Sequence, residues 1–451
     1  MTELKNIKMS VDEIVTNLVS LIQAETINPP GNELPAILVI KDILERAGFP
    51  QDALTIVESV SNRANLVARI KGDGSERPLL LSGHLDVVPV ERDRWSRNPF
   101  GGEVVNGVVW GRGALDMKGF LAMYLQVFLD IFRQKVPLKR DLILAAIADE
   151  EAGFTHGSKF LVEQHRELIN AEYGLTEGGA ITYYFGKTRL YTIQVAEKGV
   201  CWLRARAIGK PGHASIPHSD NPVFFLALAI EKLRRVGHLP VHITPTFLKM
   251  LDSAGSQIQS PLSSLTRLLH SPILMSMLLD RLKGDSRNML RAMVTNTLSP
   301  TILRAGSKVN VIPSIAEAEI DCRLVPGQTP EDVKREIRHI IGDRIELETV
   351  YTTSGAEFST ETALYKILEQ RTRKMDPDGL TIPMLMPGAT DACQYQNAGI
   401  KVYGFTPGIL PPGFPIMQLA HGHDERVPVS YFETGLPVLW DVVNDFCGRP
   451  G

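Results

Sequence analysis

Three short runs in this chain gather residue types that do metal chemistry: Ser82-Gly83-His84-Leu85-Asp86, Gly111-Arg112-Gly113-Ala114-Leu115-Asp116-Met117-Lys118-Gly119, and Asp149-Glu150-Glu151. An imidazole and several carboxylates offer the nitrogen and oxygen donors that suit Zn²⁺, with Mn²⁺ or Co²⁺ as substitutes. A carboxylate bridging two cations would explain why so much negative charge is collected in one place. Each run also has a plainer reading. His84-Leu85-Asp86 taken alone is an ordinary hydrogen-bonded pair, and Glu150 with Glu151 could be a helix start favoured by the helix dipole. Against that, an apolar stretch running straight into three acids puts them at a buried edge, where unpaired carboxylates are costly.

The elements that must position these residues are legible just upstream of them. Arg77-Pro78-Leu79-Leu80-Leu81 precedes His84, and Asp141-Leu142-Ile143-Leu144-Ala145-Ala146-Ile147-Ala148 precedes the acidic triple. Both are short apolar runs, as expected of strands buried on two faces of an α/β sheet. Ligands of such sheets bind beyond the carboxyl ends of the strands.

A chain of 451 residues exceeds one hydrophobic core and predicts at least two domains. A net charge of -3 with mixed signs and no basic run argues against nucleic acid as a partner. Cys201, Cys322, Cys393 and Cys447 show no paired spacing, which points to a reducing, cytoplasmic setting. Met1-Thr2-Glu3-Leu4-Lys5 has no apolar signal region, and no run is long enough to span a membrane, so no membrane partner is expected. Past Thr192, Ile193 to Ala207 alternates like a strand and leads into Gly209-Lys210-Pro211-Gly212-His213-Ala214-Ser215. A helix-like stretch over Asn221 to Arg235 follows, then a long region to about Leu298. That region contains Pro272-Ile273-Leu274-Met275-Ser276-Met277-Leu278-Leu279, read as packing within a domain. Strand-like Thr301 to Leu303 and Ala316 to Leu324 close the insertion. The expected order is a first catalytic part over 1–193, an inserted domain with a helical extension over 194–317, and a second catalytic part over 318–451.

Taken in order, these runs resemble the M20 metallopeptidases. The resemblance covers nearly the whole chain, from Asn28-Pro29-Pro30-Gly31-Asn32-Glu33 through Leu175-Thr176-Glu177-Gly178-Gly179 to His421-Gly422-His423-Asp424-Glu425-Arg426-Val427. It implies a zinc-peptidase-type α/β catalytic domain with a central mixed sheet, plus an inserted α+β lid that often serves for dimerisation. It also implies two Zn²⁺ ions, His84 and Glu177 holding one, Glu151 and His421 the other, with Asp116 between them. Asp86 would orient His84 and raise its basicity. Glu150 would be the general base for a water attacking an amide carbonyl. From the residues alone either His421 or His423 could be a ligand, and only the family pattern selects His421. Thr176 stands where several relatives carry a second acid, which leaves Glu177 as that run's carboxylate.

The same resemblance matches His213 to a lid histidine that reaches an active site, commonly the partner subunit's, and stabilises a tetrahedral oxyanion. Without the resemblance, His213 reads as a loop cap. Asn310 and Arg323 match residues that bind a substrate α-carboxylate, for which the planar guanidinium fork is suited. Gly388-Ala389-Thr390-Asp391 looks like a cleft-wall loop, with Gly388 and Thr390 as further substrate contacts. The long insertion, Thr176-Glu177-Gly178-Gly179 and the tail Ala420 to Pro428 look most like the carboxypeptidase S branch, which includes N-acyl amino acid hydrolases. The implied substrate is a small N-acyl amino acid or dipeptide, and the implied assembly a homodimer through the lid. Methionines and leucines between Phe247 and Met293 could line an acyl pocket or simply form core. The alternatives are a deacylase of polar intermediates, of the acetylornithine or succinyl-diaminopimelate type, and a non-catalytic metal-binding homologue. Retention of Glu150 argues against the last.

Overall fold

The structure is a computed structural model that describes residues 11–185, 188–257 and 267–449. The terminal run 1–5 and the stretch 258–266, which falls among the methionines and leucines noted above, lie outside the described residues. The chain forms two compact units, one of residues 1–195, 358–383 and 390–451, the other of residues 196–357 and 384–389.

The first unit is built on a mixed sheet. From one edge its strands run Leu54–Val60, Arg63–Ile70, Arg140–Ile147, Glu76–His84, Tyr173–Thr176, Lys401–Gly404 and Thr188–Glu197. The central four are mutually parallel: Glu76–His84 lies between Arg140–Ile147 and Tyr173–Thr176, and Tyr173–Thr176 pairs in turn with Lys401–Gly404. The apolar runs form these strands because alternate residues find cover on opposite faces. Leu79, Leu81, Leu142, Leu144 and Ala146 enter one core. Leu80, Ile143, Ala145 and Ile147 enter the other. The first core is closed by helices Val11–Gln23, Lys118–Arg133 and Val429–Cys447, the second by Ser158–Gln164 and Ala392–Asn397.

The registers fix where the chemistry lies. His84 ends its strand opposite Ile147, so the acids at 149–151 emerge beside it. Leu81 pairs with Leu175, which brings Glu177 to the same carboxyl edge. The expected α/β architecture with a central mixed sheet is what the chain adopts.

The second unit carries an antiparallel sheet in the order Thr297–Ala305, Ile315–Leu324, Gly199–Ile208, Ile345–Thr352. Cys201, Leu203, Ala205 and Ala207 face Cys322, Ile320, Ala318 and Ala316 on its core side, under helices Pro222–Val236 and Pro330–Ile341. The opposite face carries cross-strand charge pairs such as Arg206 with Glu317 at 2.7 Å. Helices Pro245–Gln257, Pro272–Arg281 and Gly284–Val294 gather around a small core of Phe247, Met275, Leu279 and Val294.

Two boundaries differ from expectation. The alternating run from Ile193 breaks at Lys198 into two strands, Thr188–Glu197 and Gly199–Ile208. The second unit also continues to Glu357 instead of ending at 317. An amphipathic helix with a capping box at Thr329 and Asp332, followed by an alternating strand, can cover either sheet equally well. Its buried side, Val333, Ile337, Ile341, Ile345 and Leu347, joins the core of the second unit.

Candidate metal centre

Six side chains converge beyond the carboxyl edge of the parallel strands. Asp116 stands at their centre, carried on the loop before helix Lys118–Arg133. Its Oδ1 lies 3.1 Å from His84 Nε2 and its Oδ2 lies 3.0 Å from His421 Nε2. Glu177 Oε1 approaches His84 Nε2 at 3.5 Å, and Glu151 Oε2 approaches His421 Nε2 at 3.2 Å. Glu150 Oε2 is 4.0 Å from His84 Nε2. The donor atoms fall into three sets of mutual neighbours: His84 with Asp116 and Glu177, His84 with Glu150 and Glu151, and Asp116 with Glu151 and His421. His421, and not His423, meets the carboxylates, and it does so from a left-handed backbone at φ 60°.

The electrostatics of the cluster call for cations. Burial opposes a charge on His84, yet the Glu177 charge and the hydrogen bond with Asp116 hold a proton on it well above the ordinary histidine range. Hydrogen bonds with Asp116 and Glu151 raise His421 to about 10. Burial, reinforced by the Asp116 charge, raises Glu177 to about 8, and burial with the Glu177 charge pushes Glu150 well above its usual value. Protons on the two imidazoles thus supply the positive charge that the carboxylates demand. Glu151 Oε1 is buried without a hydrogen-bond partner. Such an orphaned oxygen among imidazole and carboxylate donors fits a divalent cation.

The supports around the cluster are mostly buried hydrogen bonds. Asp86 was expected to orient His84 through its carboxylate. Instead His84 Nδ1 lies 3.0 Å from the Asp86 main-chain oxygen, with the Asp86 Oδ1 at 3.6 Å. The Asp86 carboxylate accepts from the backbone amides of Glu150 and Glu151, at 3.1 and 3.0 Å, and from Asn28 Nδ2 at 2.8 Å. It therefore fixes the acidic turn more than the imidazole.

Several supporting residues were not singled out from the sequence. Asp149, at φ 63°, accepts from Asn28 and from Arg63, whose guanidinium also grips the buried Glu33. Glu425 accepts from Arg112 and from the amides of Gly113, Leu115 and Asp116. Ser158 donates to Asp391, whose carboxyl burial raises to about 7. Asn28, Glu33 and Glu425 sit inside motifs visible in the sequence, but nothing local tells a buried acceptor from a ligand.

The remaining candidates belong to other surroundings. In the second unit, His213 is exposed, its Nδ1 accepting from the Ser215 amide at 3.2 Å. Its strand pairs with Val311, and the Ala214 amide donates to the Asn310 carbonyl, so His213 and Asn310 share one loop cluster. The Arg323 fork is engaged by Asp321 at 2.8 and 3.0 Å. The Gly388 carbonyl accepts from the Lys198 amide. Thr390, in the first unit, is buried and caps the Ala392 amide at 3.2 Å.

A model of peptidase family M20/M25/M40 matches residues 80–445. The N-fatty-acyl-amino acid synthase/hydrolase of Homo sapiens is 28% identical over 397 residues, which cover 86% of this chain and 78% of that protein. The probable carboxypeptidase S-like 2 of Dictyostelium discoideum is 29% identical over 399 residues, 85% of this chain and 75% of that one. Aminoacylase-1 of Sus scrofa is 24% identical over 384 residues, 82% and 80% of the two chains. Among solved structures, the M20 family metallo-carboxypeptidase Sso-CP2 from Sulfolobus solfataricus superposes with a TM-score of 0.69 at 18% identity, over 96% of this chain and 98% of that one. Human carnosine dipeptidase 1 superposes with a TM-score of 0.63 at 15% identity, over 97% of each chain. These two share the fold.

Proposed function

The chain belongs to peptidase family M20/M25/M40 and is a metal-dependent hydrolase of amide or peptide bonds, and on that premise we propose that it is a di-zinc amidohydrolase. Its proposed substrates are N-acyl amino acids or dipeptides with a free α-carboxylate. The observation that carries the reading is the position of Asp116, whose two oxygens face two different imidazoles, each flanked by a further carboxylate. His84 and Glu177 would hold one ion, His421 and Glu151 the other, with Asp116 shared. Bound there, two cations would supply Lewis acidity toward a carbonyl oxygen and toward water.

Glu150 is the residue proposed to move protons. Its carboxyl is buried among the other acids of the cluster, where a base could accept a proton from the attacking water and return it to the leaving amine. The Asp86 carboxylate, holding the amides of Glu150 and Glu151, keeps the base and its neighbouring ligand in fixed relation. His213 is assigned to the oxyanion and Arg323 to the substrate carboxylate, with Asn310, Gly388 and Thr390 as additional contacts. The Arg323 fork is paired with Asp321, so a substrate carboxylate would take it over in exchange for that partner.

A homodimer through the second unit is supported by its edge strand Thr297–Ala305, where Ile302 and Leu303 are exposed, and by exposed Phe224 and Leu228 on helix Pro222–Val236. An unpaired edge beside exposed apolar side chains favours association. Four buried cysteines, none of them joined in a disulfide, support a reducing, cytoplasmic setting. No helix among the described residues is long and apolar enough to cross a membrane.

The test is hydrolysis of an N-acyl amino acid and dipeptide panel by the zinc-loaded protein. Turnover of apolar acyl compounds supports the proposal. Preference for N-acetylornithine or N-succinyl-diaminopimelate replaces it with a biosynthetic deacylase, and bound metal without turnover of anything replaces it with a non-catalytic homologue.

A further inference from the structure

The second unit carries a half-open cleft of about 470 Å³. Its wall comes from the end of helix Pro222–Val236, the turn through Leu239, the end of helix Gly284–Val294 and strand Thr297–Ala305. Small-molecule sites occupy about 300–1,000 Å³, and this cleft falls within that range. Leu233, Leu239, Leu298 and Ile340 give the wall an aliphatic character, and among the described residues no aspartate or glutamate lines it.

Its charged groups are cationic, and one of them is incompletely partnered. Arg291 lines the cavity and donates from Nη1 to the Gly237 carbonyl at 2.8 Å, while its Nε is buried with no hydrogen-bond partner. Behind the wall, the fully buried Lys198 donates from Nζ to the Thr295 carbonyl at 2.8 Å and to Thr297 Oγ1 at 3.2 Å. Thr295 and Thr297 both line the cavity. Among the described residues no carboxylate pairs with either Arg291 or Lys198. The other basic residues of the wall are satisfied, Arg234 by Glu231 and His238 by Asp280 at 3.4 Å. Burial, with the Arg323 charge next, lowers the Lys198 amine to about 7. An aliphatic space with one unmatched guanidinium is complementary to an apolar chain ending in a single negative charge.

We propose that this cavity binds a medium-chain aliphatic carboxylate, its chain against the leucines and its carboxylate on Arg291. The site shares no residue with the metal centre and does not depend on how that centre is read. Decanoate, octanoate and the neutral decan-1-ol are the probes, titrated calorimetrically into the full-length protein. One decanoate should bind per chain, about tenfold tighter than octanoate because two more methylenes are buried. Arg291→Met should weaken decanoate at least about tenfold and leave decanol unchanged. Leu298→Trp should remove both. Glu177→Gln, altered at the metal centre, should bind decanoate as the wild type does.

Absence of saturable binding overturns the proposal, and this is the result expected if the homodimer contact proposed above through strand Thr297–Ala305 covers the cleft at Leu303 and Pro300. Insensitivity to Arg291→Met also overturns it. So does loss of binding in Glu177→Gln, which would place the acid at the metal centre. Should the substituted proteins misfold, a diazirine-bearing decanoate photolysed on the wild type decides: label within 230–240 or 291–303 supports the site, and label confined elsewhere refutes it.

Discussion

Removing Glu425 should do more damage than removing any exposed acid, because its carboxylate organises the loop that carries Asp116. It is fully buried and accepts from Arg112 Nη1 at 2.6 Å, Gly113 N at 3.0 Å, Leu115 N at 2.8 Å and Asp116 N at 3.0 Å. Glu425→Ala leaves a buried guanidinium uncompensated, which typically costs about 3–5 kcal/mol. Three amides lose their acceptor at the same time. Arg112 keeps its bonds to the carbonyls of His421 and Gly422, so the lower end, about 3 kcal/mol, is expected. Asp42→Ala, at the exposed pair with Arg46, is the control and should fall within about 1 kcal/mol of wild type. Denaturant unfolding followed by tryptophan fluorescence measures both. Arg112 touches the chain at His421 while Glu425 touches it at Asp116, so Glu425→Ala should also weaken metal binding by roughly 10- to 100-fold, as lost supporting bonds do elsewhere. A loss below about 1 kcal/mol with unchanged metal affinity would refute the reasoning.

Other perturbations separate the remaining roles. Glu150→Gln should lower kcat by about 10²–10⁴ while metal content stays near wild type, whereas Glu151→Gln should lose metal from one site; elemental analysis beside an activity assay tells them apart. Amidating the α-carboxylate of a good substrate should cut kcat/KM at least about tenfold, since the charged hydrogen bonds it would make with Arg323 in place of Asp321 are then lost; an unchanged value counts against Arg323. Mixing inactive His213→Ala with inactive Glu150→Gln chains should recover partial activity if His213 serves the partner's site, and no recovery despite proven subunit exchange rejects that arrangement. Lys198 gives a pH signature. Its folded value, about 7, lies below the ordinary 10.5, so between them the unfolded chain binds a proton that the folded chain has shed. Stability from this group therefore rises with pH across that window, by at most about 1.4 kcal/mol per unit. Lys198→Met should flatten that part of the profile, and a slope identical to wild type would contradict it.

The parallel strands were readable because their two-sided burial leaves continuous apolar runs, Leu79-Leu80-Leu81 and Leu142 to Ala148, that polar residues cannot interrupt. Helix Pro222–Val236 was readable too, with Asn221 capping the Val223 amide. The limit of the second unit was not, because the amphipathic pattern of Pro330–Ile341 declares that one side is buried and is silent about which sheet buries it. Lys198 is a similar case. A strand-like alternation on both sides of it conceals a break that appears only when the main-chain partners are known, its amide turning to Met386 and Gly388. The position of Asp86 was readable and its hydrogen bonds were not, since the spacing His84-Leu85-Asp86 fixes proximity and leaves open which acceptor atom the imidazole meets.

The same distinction separates the acids of the first unit into two kinds that their sequence contexts do not. Glu33, Asp86, Asp149 and Glu425 are buried and accept from guanidinium groups, the Asn28 amide or main-chain N–H groups. Their negative charge is answered by the protein. Asp116, Glu150, Glu151 and Glu177 instead face one another and two imidazoles. An imidazole must be neutral to bind a metal, so once His84 and His421 shed the protons that balance this cluster, two divalent cations would take their place. Glu150 then differs from the other three by its distance of 4.0 Å from His84 Nε2, near the centre yet farther from the imidazole than Asp116 or Glu177. The longer distance suits the proposed role of exchanging a proton with water.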